Sequence, residues 1–167
     1  MKLLHNIGIS PSPLPHIASN YNTREQILAC NEPLSFDGVY LNVYENRDVL
    51  VGKDVTLFVT GDYVGGDNTF DIGMPFERFC TWKQIEELVE MGCKLGWHSW
   101  SHRDLTAISH HELKKEVTPP FPMKYFAYPY GRYTDEVVDA VRDAGFECAW
   151  SVTQGNDNTL TLKRTYL

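Results

Sequence analysis

The chain has 167 residues, 43% of them hydrophobic and 22% charged, with a formal net charge of −7. This length suits one domain with a substantial core, the composition argues against disordered and fibrous classes, and the scattered Lys and Arg residues argue against a nucleic-acid binder. The N-terminal apolar stretch is too short for a secretory signal or a membrane span, so we expect a single cytoplasmic domain over residues 1–167.

In chain order, short β-rich runs alternate with helix signals, which is the pattern of parallel strands joined by helical crossovers. Residues 10–15 (SPSPLP) precede the first run and are typical of a surface arm. The alternation predicts an α/β fold. The predicted strands are residues 33–37, 55–60, 94–98, 125–128 and 147–152.

Three helices are predicted between and after these strands. Thr81 with Gln84 forms a capping box before one apolar stripe, and Ser109 with Glu112 forms a second capping box before LKKEV. A third stripe predicts a helix over about residues 134–144. Strand and helix therefore alternate to the end of the chain.

The most specific chemical feature is the histidine pair in residues 98–102 (HSWSH). In a continuing strand the two Cα atoms would lie about 13 Å apart. If the strand ends at His98 and the chain turns helical, the spacing falls to about 6 Å and both rings can bind one metal. The alternative is that the rings merely pack or cap. His5 and His16 have no partner spacing and are interpreted as structural.

Two further segments place polar or aromatic groups where strands end. Asp37 leaves an apolar strand and is followed by Gly38, a pattern that forms either a turn or the rim of a site. Residues 126–131 (FAYPYG) run from an aromatic strand into a Pro-Tyr-Gly turn. Such a turn is either a rigid loop or a wall that directs backbone N–H groups at a ligand.

Together and in this order, these segments resemble the polysaccharide deacetylase family, also called the NodB-homology or carbohydrate esterase 4 family, over about residues 33–164. The family motifs T-F-D-D-G, H-[ST]-x-x-H and R-x-P-Y-G correspond here to SFDG at residues 35–38, HSWSH at 98–102 and AYPYG at 127–131. The resemblance implies a distorted (β/α) barrel of about seven strands, shortened in this chain.

The resemblance also implies roles for individual residues. Asp37 would act as the catalytic base or as a metal ligand, and His98 and His102 would bind a divalent metal, zinc by expectation. A backbone N–H beside Tyr130 would help to hold the oxyanion. The predicted substrate-binding residues, whose aromatic members are equally explained as core, are Tyr40, Trp100, Tyr128, Pro129 and Arg164.

Three departures from the family pattern concern the catalytic site. Gly38 stands where the family has its metal-binding Asp. If Asp37 acts as the base, an aspartate introduced at residue 38 is expected to restore a third protein ligand, and if Asp37 already binds the metal, the added carboxylate should help little or weaken binding. Ala127 replaces the Arg of the third motif, for which Arg164 is a possible substitute. No His follows His111, so the general acid that the family takes from a late strand has no counterpart.

The function that the resemblance implies is metal-dependent hydrolysis of an N-acetyl group on a sugar or glycan precursor, in cell-surface polysaccharide biosynthesis. A cytoplasmic location favours a small or lipid-linked sugar as the partner. Two alternatives remain open: an inactive family member that binds a carbohydrate or a partner in the same cleft, and an amide hydrolase acting on a non-sugar substrate.

Overall fold

A computed structural model describes residues 1–8, 14, 18 and 20–167. The surface arm predicted at residues 10–15 lies, apart from Leu14, outside these residues. Among the described residues, none of the helices has both the length and the apolar character that crossing a bilayer requires.

All five predicted strands are confirmed to within one residue at either end. The structure adds five strands of two or three residues that the sequence pattern did not indicate. In chain order the strands are β1 (Lys2–Leu4), β2 (Asn6–Ile7), β3 (Tyr21–Asn22), β4 (Leu34–Asp37), β5 (Val55–Val59), β6 (Lys94–Trp97), β7 (Tyr125–Ala127), β8 (Cys148–Ser151), β9 (Leu162–Lys163) and β10 (Thr165–Tyr166).

Eight of these strands form one parallel sheet in the order β10-β1-β4-β5-β6-β7-β8-β9, while β2 and β3 form a separate parallel pair. The edge strands β9 and β10 are separated in the chain by Arg164 alone. They therefore bring the two edges of the sheet together, and the sheet nearly closes into a barrel. Counting β9 and β10 as one interrupted strand gives seven positions, which confirms the predicted distorted barrel of about seven strands.

The strands read as apolar runs because the barrel interior covers one face and the helices cover the other. All five residues of β5 are buried, for example, including Thr56.

The α-helices of the described chain are α1 (Arg24–Ala29), α2 (Leu41–Glu45), α3 (Trp82–Glu90), α4 (His110–Val117) and α5 (Asp135–Asp143).

The helix starts follow local capping chemistry. Thr81 and Ser109 each accept a hydrogen bond from the backbone three residues later, and the capping boxes predicted for α3 and α4 are both present. Thr23 forms a third capping box with Gln26 at the start of α1, a helix that the sequence pattern did not indicate. Each box satisfies two backbone N–H groups that the first helical turn leaves without partners.

The parallel arrangement fixes where functional side chains can gather. Because neighbouring parallel strands end at the same rim, residues at their carboxyl ends meet there even when they are distant in sequence. His5 follows β1, Asp37 ends β4, His98 follows β6 and Tyr128 follows β7. This rim is the candidate site.

Candidate active site

Asp37 is buried at the rim and forms a two-pronged ion pair with Arg164. One guanidinium nitrogen of Arg164 lies 2.7 Å from Oδ1 of Asp37 and the other lies 2.5 Å from Oδ2. Burial by itself would raise the pKa of Asp37, but the positive charge of Arg164 and its hydrogen bonds to the carboxylate outweigh burial and hold the pKa of Asp37 well below its usual range. Asp37 is therefore an ionised carboxylate whose oxygens point in fixed directions.

His98 is fully buried and its tautomer follows from its hydrogen bond. Nδ1 lies 2.7 Å from the carbonyl oxygen of Ala127, which can only accept, so Nδ1 carries the proton and Nε2 does not. Burial lowers the pKa of His98 to about 3, so the ring is neutral near pH 7. Its Nε2 faces Oδ2 of Asp37 at 3.5 Å. Two lone pairs thus point at each other across a gap, an arrangement that a bound cation would stabilise.

The chain reverses sharply between His98 and His102, so that the two rings meet. A helical turn was the arrangement that would bring the rings together, but the structure has an irregular turn in which Ser99 (φ 68°) and His102 (φ 55°) are left-handed. The Ser99 hydroxyl accepts a hydrogen bond from the His102 N–H, which closes the turn. The ring centroids lie 4.9 Å apart. Burial lowers the pKa of His102, and its Nδ1 is buried without a partner in the part of the chain that the structure describes.

These donors fit a divalent ion in part. Two neutral imidazoles and one carboxylate are ligand types that zinc favours, and a hydrogen bond from His98 Nδ1 to a carbonyl is the usual way in which a metal-binding His is oriented. Within the described chain, however, no group of three or more His, Cys, Asp or Glu side chains is arranged to hold a metal. The residues therefore fit a divalent ion held by one ring nitrogen each of His98 and His102, with Asp37 nearby.

His5 is a third imidazole at the rim, and the sequence pattern did not indicate it. It follows β1, whose register pairs Leu4 with Phe36, so His5 lies beside Asp37 across the sheet. The residue is partly exposed, but its Nδ1 is buried and has no hydrogen-bond partner among the described residues, and desolvation lowers the pKa of His5 to about 4. No spacing within the sequence could reveal it. The one available signal was its position after an apolar run, which is where strand ends carry functional residues.

Two cavities open on the same group of side chains. One has a volume of about 70 Å³, with walls from Tyr40, Phe70 and Phe79. The other is a more open groove of about 460 Å³, with walls from Tyr128, Tyr130 and Tyr166. His5, Asp37, His98 and His102 line both. The four titratable groups thus stand between a small chamber and a larger groove.

The predicted substrate-binding residues divide into two groups. Tyr40 lines the chamber, while Tyr128 and Arg164 line the groove. Tyr130, which was predicted to stand beside the oxyanion, also lines the groove. Tyr130 is 53% exposed and its ring contacts His102 edge-on, with centroids 4.8 Å apart. Tyr128 is fully buried and donates its hydroxyl proton to the Leu160 carbonyl, so it forms the wall of the groove.

Pro129 and Trp100 line neither cavity. Pro129 is buried at the start of the turn at Pro129–Gly131. The Trp100 indole instead packs edge-on against Trp97, with centroids 5.0 Å apart, and donates to the Thr118 carbonyl. Arg164 is only 2% exposed and its guanidinium is engaged by Asp37, so it orients that carboxylate rather than offering a free charge to a substrate.

The neutral histidines of the rim predict how the free energy of unfolding changes with pH in the metal-free protein. The unfolded chain takes up protons near the ordinary value of 6.5, whereas folded His5 does so only near 4. The contribution of each such histidine to the free energy of unfolding is therefore fully present above pH 6.5 and is lost as the pH decreases towards the pKa of the folded state. The loss is at most about 1.4 kcal/mol per pH unit for each histidine. Asp37 titrates below this window, because its ordinary pKa is 3.8.

Urea unfolding between about pH 7 and about pH 5, with chelator present, measures this slope. We expect His5→Gln to reduce the slope by one histidine's share. His111→Gln, at an exposed position outside both cavities, is the matched control and should keep the wild-type slope. An unchanged slope in His5→Gln would contradict the assignment of His5 as a neutral group with a lowered pKa.

Comparison with known proteins agrees with the motifs. Residues 34–149 match the protein-family model described as polysaccharide deacetylase. A curated relative, an uncharacterized 30.6 kDa protein of Geobacillus stearothermophilus, is 38% identical over 88 residues. That match covers 50% of this chain, and it spans only 28% of the relative's length.

Solved structures share the barrel. The deacetylase PplD of Streptococcus pyogenes, determined in complex with acetate, superposes with a TM-score of 0.77 at 18% identity and covers 100% of this chain and 92% of its own. IcaB from Ammonifex degensii gives a TM-score of 0.72 at 20% identity, with coverage of 99% and 91%. At these identities the likeness shows the fold.

Proposed function

This chain belongs to the polysaccharide deacetylase family of carbon–nitrogen hydrolases, and we propose that it removes an N-acetyl group from a sugar or glycan precursor with the help of a divalent metal, zinc by preference. The observation that carries this proposal is the convergence of His98, His102 and Asp37 at one rim of the barrel. The lone pair of His98 Nε2 faces a carboxylate oxygen at 3.5 Å. A cation between these groups would relieve their repulsion.

His98 and His102 would hold the metal through their unprotonated ring nitrogens. When bound there, a divalent ion supplies Lewis-acid polarisation of the acetamide oxygen and lowers the pKa of water. The protein contributes orientation, because His98 is fixed by the Ala127 carbonyl and the turn is closed by Ser99. Burial keeps both rings neutral and so able to bind.

Asp37 and His5 would divide the proton transfers. Arg164 keeps Asp37 ionised, so its carboxylate can accept a proton from the attacking water. His5 has a pKa of about 4 and is neutral before the reaction. It must therefore first take up the proton that Asp37 has accepted from the water, and it can then pass this proton to the leaving amine. In this scheme His5 replaces the general acid that the family takes from a late strand.

The proposed substrate occupies the groove and directs its acetamide towards the rim. Tyr130 and Tyr166 are about half exposed along the groove, and such rings stack on the faces of sugars. A precursor in cell-surface polysaccharide assembly, handled in the cytoplasm, is the substrate that we propose.

The decisive test combines metal titration with acetate release. Zinc affinity of tag-free protein is measured by calorimetry, and acetate release is followed on N-acetylglucosamine, on its oligomers and on an acetylated amine that carries no sugar. We expect a chelator to abolish release and zinc to restore it. His98→Ala and His102→Ala should each weaken zinc binding by at least about 100-fold without unfolding the barrel, because one imidazole alone is a poor chelator.

His110→Ala is the control for loss of an exposed histidine outside both cavities, and should bind zinc as the wild type does. Unchanged zinc affinity in both rim variants would mean that the rings only pack. Release from the amine alone would identify a non-sugar amide hydrolase.

A second candidate is a carbohydrate-binding protein without catalysis. Two observations favour this candidate. Both oxygens of Asp37 are held by Arg164, and no third protein ligand accompanies the histidines in the described part of the chain. Saturable binding of an N-acetylglucosamine oligomer to zinc-loaded protein, with no acetate released, would support this reading over hydrolysis.

A further inference from the structure

Glu116 is a buried carboxylate outside the recognised motifs, and it contacts the turn between the two histidines. It lies near the end of α4 and is only 6% exposed. Its Oε2 accepts hydrogen bonds of 2.9 Å from the backbone N–H groups of Trp100 and Ser101. Its Oε1 accepts a bond of 2.5 Å from the Ser101 hydroxyl. One side chain thus satisfies three donors in the turn.

The same end of α4 also accepts hydrogen bonds from the indoles of Trp97 and Trp100, which lie on either side of His98 in the sequence. Trp97 Nε1–H donates to the backbone carbonyl of Glu116 at 3.0 Å, and Trp100 Nε1–H donates to that of Thr118 at 2.8 Å. Five hydrogen bonds therefore tie α4 to the segment from Trp97 to Ser101. The bond from Trp100 to the Thr118 carbonyl explains the position of the Trp100 side chain, so no contact with a substrate is needed to explain it.

The turn needs this support because its backbone is strained. Ser99 and His102 both have left-handed φ angles, which L-residues adopt at a cost and keep only where the surroundings impose them. In an extended segment the two rings would be too far apart to share an ion. The short distance between the His98 and His102 rings therefore depends on the turn that Glu116 holds in place.

We infer that Glu116 is the positioning residue of the histidine pair: by clamping the turn it sets the geometry in which His98 and His102 bind one metal. This inference rests on the proposed function. Glu116 touches neither cavity, so its effect is transmitted through the backbone of Trp100 and Ser101. Hydrogen-bonded partners of this kind typically change metal affinity by about 10- to 100-fold.

The test compares Glu116→Ala with Glu116→Gln. A glutamine can keep every bond, because its amide oxygen accepts from the two backbone N–H groups while its NH₂ donates to the Ser101 hydroxyl. We expect zinc affinity to fall by about 10- to 100-fold in Glu116→Ala and to stay within about threefold of wild type in Glu116→Gln. The visible spectrum of the cobalt-loaded protein should change only in the alanine variant, since it reports ligand geometry.

Val117→Ala is the matched control, because Val117 is the next residue of α4, is buried, and makes no side-chain hydrogen bond to the turn. It should lose stability yet keep wild-type zinc affinity. Backbone hydrogen exchange of residues 100–101 in metal-free protein gives a readout independent of metal, and should accelerate in Glu116→Ala alone.

If Glu116→Ala does not fold, Ser101→Ala removes only the hydroxyl bond, and should weaken zinc binding by a few fold and accelerate the same exchange. Wild-type zinc affinity in either alanine variant, or an equal loss in Glu116→Gln and Glu116→Ala, would overturn the inference. Failure of the wild type to bind zinc or cobalt would instead overturn the proposed function.

Discussion

Replacing Arg164 by methionine is expected to lower the free energy of unfolding by about 3–5 kcal/mol, because it leaves a buried carboxylate without its counter-charge. Asp37 would then either stay ionised at high cost or take up a proton, since burial by itself raises its pKa. Deacetylation should fall by about 100- to 10,000-fold, the range for loss of a catalytic base. Urea unfolding and acetate release measure the two effects.

Two further variants test whether charge or geometry matters. Arg164→Lys keeps the charge but loses the fork that binds both oxygens, so it should recover part of the stability and little of the activity. Lys163→Met removes an exposed charge from the neighbouring residue and serves as the control, with stability close to wild type. In the double variant Asp37→Asn with Arg164→Met, the two losses should not add, because no unpaired charge remains.

Arg164 also connects the site to the closure of the barrel. It is the single residue between β9, which pairs with β8, and β10, which pairs with β1. Its guanidinium reaches into the barrel, where it also donates to Ser35 at 3.1 Å. The residue that joins the sheet edges is thus held by the carboxylate of the site. Stability and activity close to wild type in Arg164→Met would contradict this coupling.

The sequence predicted the elements that carry strong local signals. Strands such as β5 are apolar throughout, and α3 and α4 begin with capping boxes, so both types of element could be located from residue order alone. The capping box at Thr23 was an equally good signal for α1 but no strong apolar stripe follows it. Helix starts are local events, which explains their predictability.

The missed features depend on contacts between distant parts of the chain. The strands β9 and β10 have two residues each, too few to show a periodicity, and the pairing of β10 with β1 joins Lys2 to Thr165. His5 reaches Asp37 only through the parallel register of β1 with β4. Asp37 and Arg164 are 127 positions apart. No spacing rule within a short window can detect such partners.

Placing an aspartate at Gly38 is expected to destabilise the protein rather than to complete a metal site. The sequence suggested that this residue would restore the family's third ligand. In the structure Gly38 has a φ of +84°, and a Cβ atom there would lie 2.8 Å from Cε1 of Phe79. The Phe79 ring is held by stacking on Tyr40, with centroids 4.4 Å apart, and cannot easily move. Strain and overpacking together should cost about 2–5 kcal/mol.

Three variants separate the causes of that loss. Gly38→Ala carries the backbone strain and the Cβ contact without a charge, so it should account for most of the destabilisation. Gly38→Asp adds a second carboxylate beside Asp37 and should bind zinc no more tightly than the wild type. Adding Phe79→Ala to Gly38→Asp removes the obstructing ring and should restore part of the stability. Urea unfolding and zinc calorimetry on all three decide the matter: a Gly38→Asp protein as stable as wild type that binds zinc more tightly would mean that Gly38 occupies the place of a missing ligand after all.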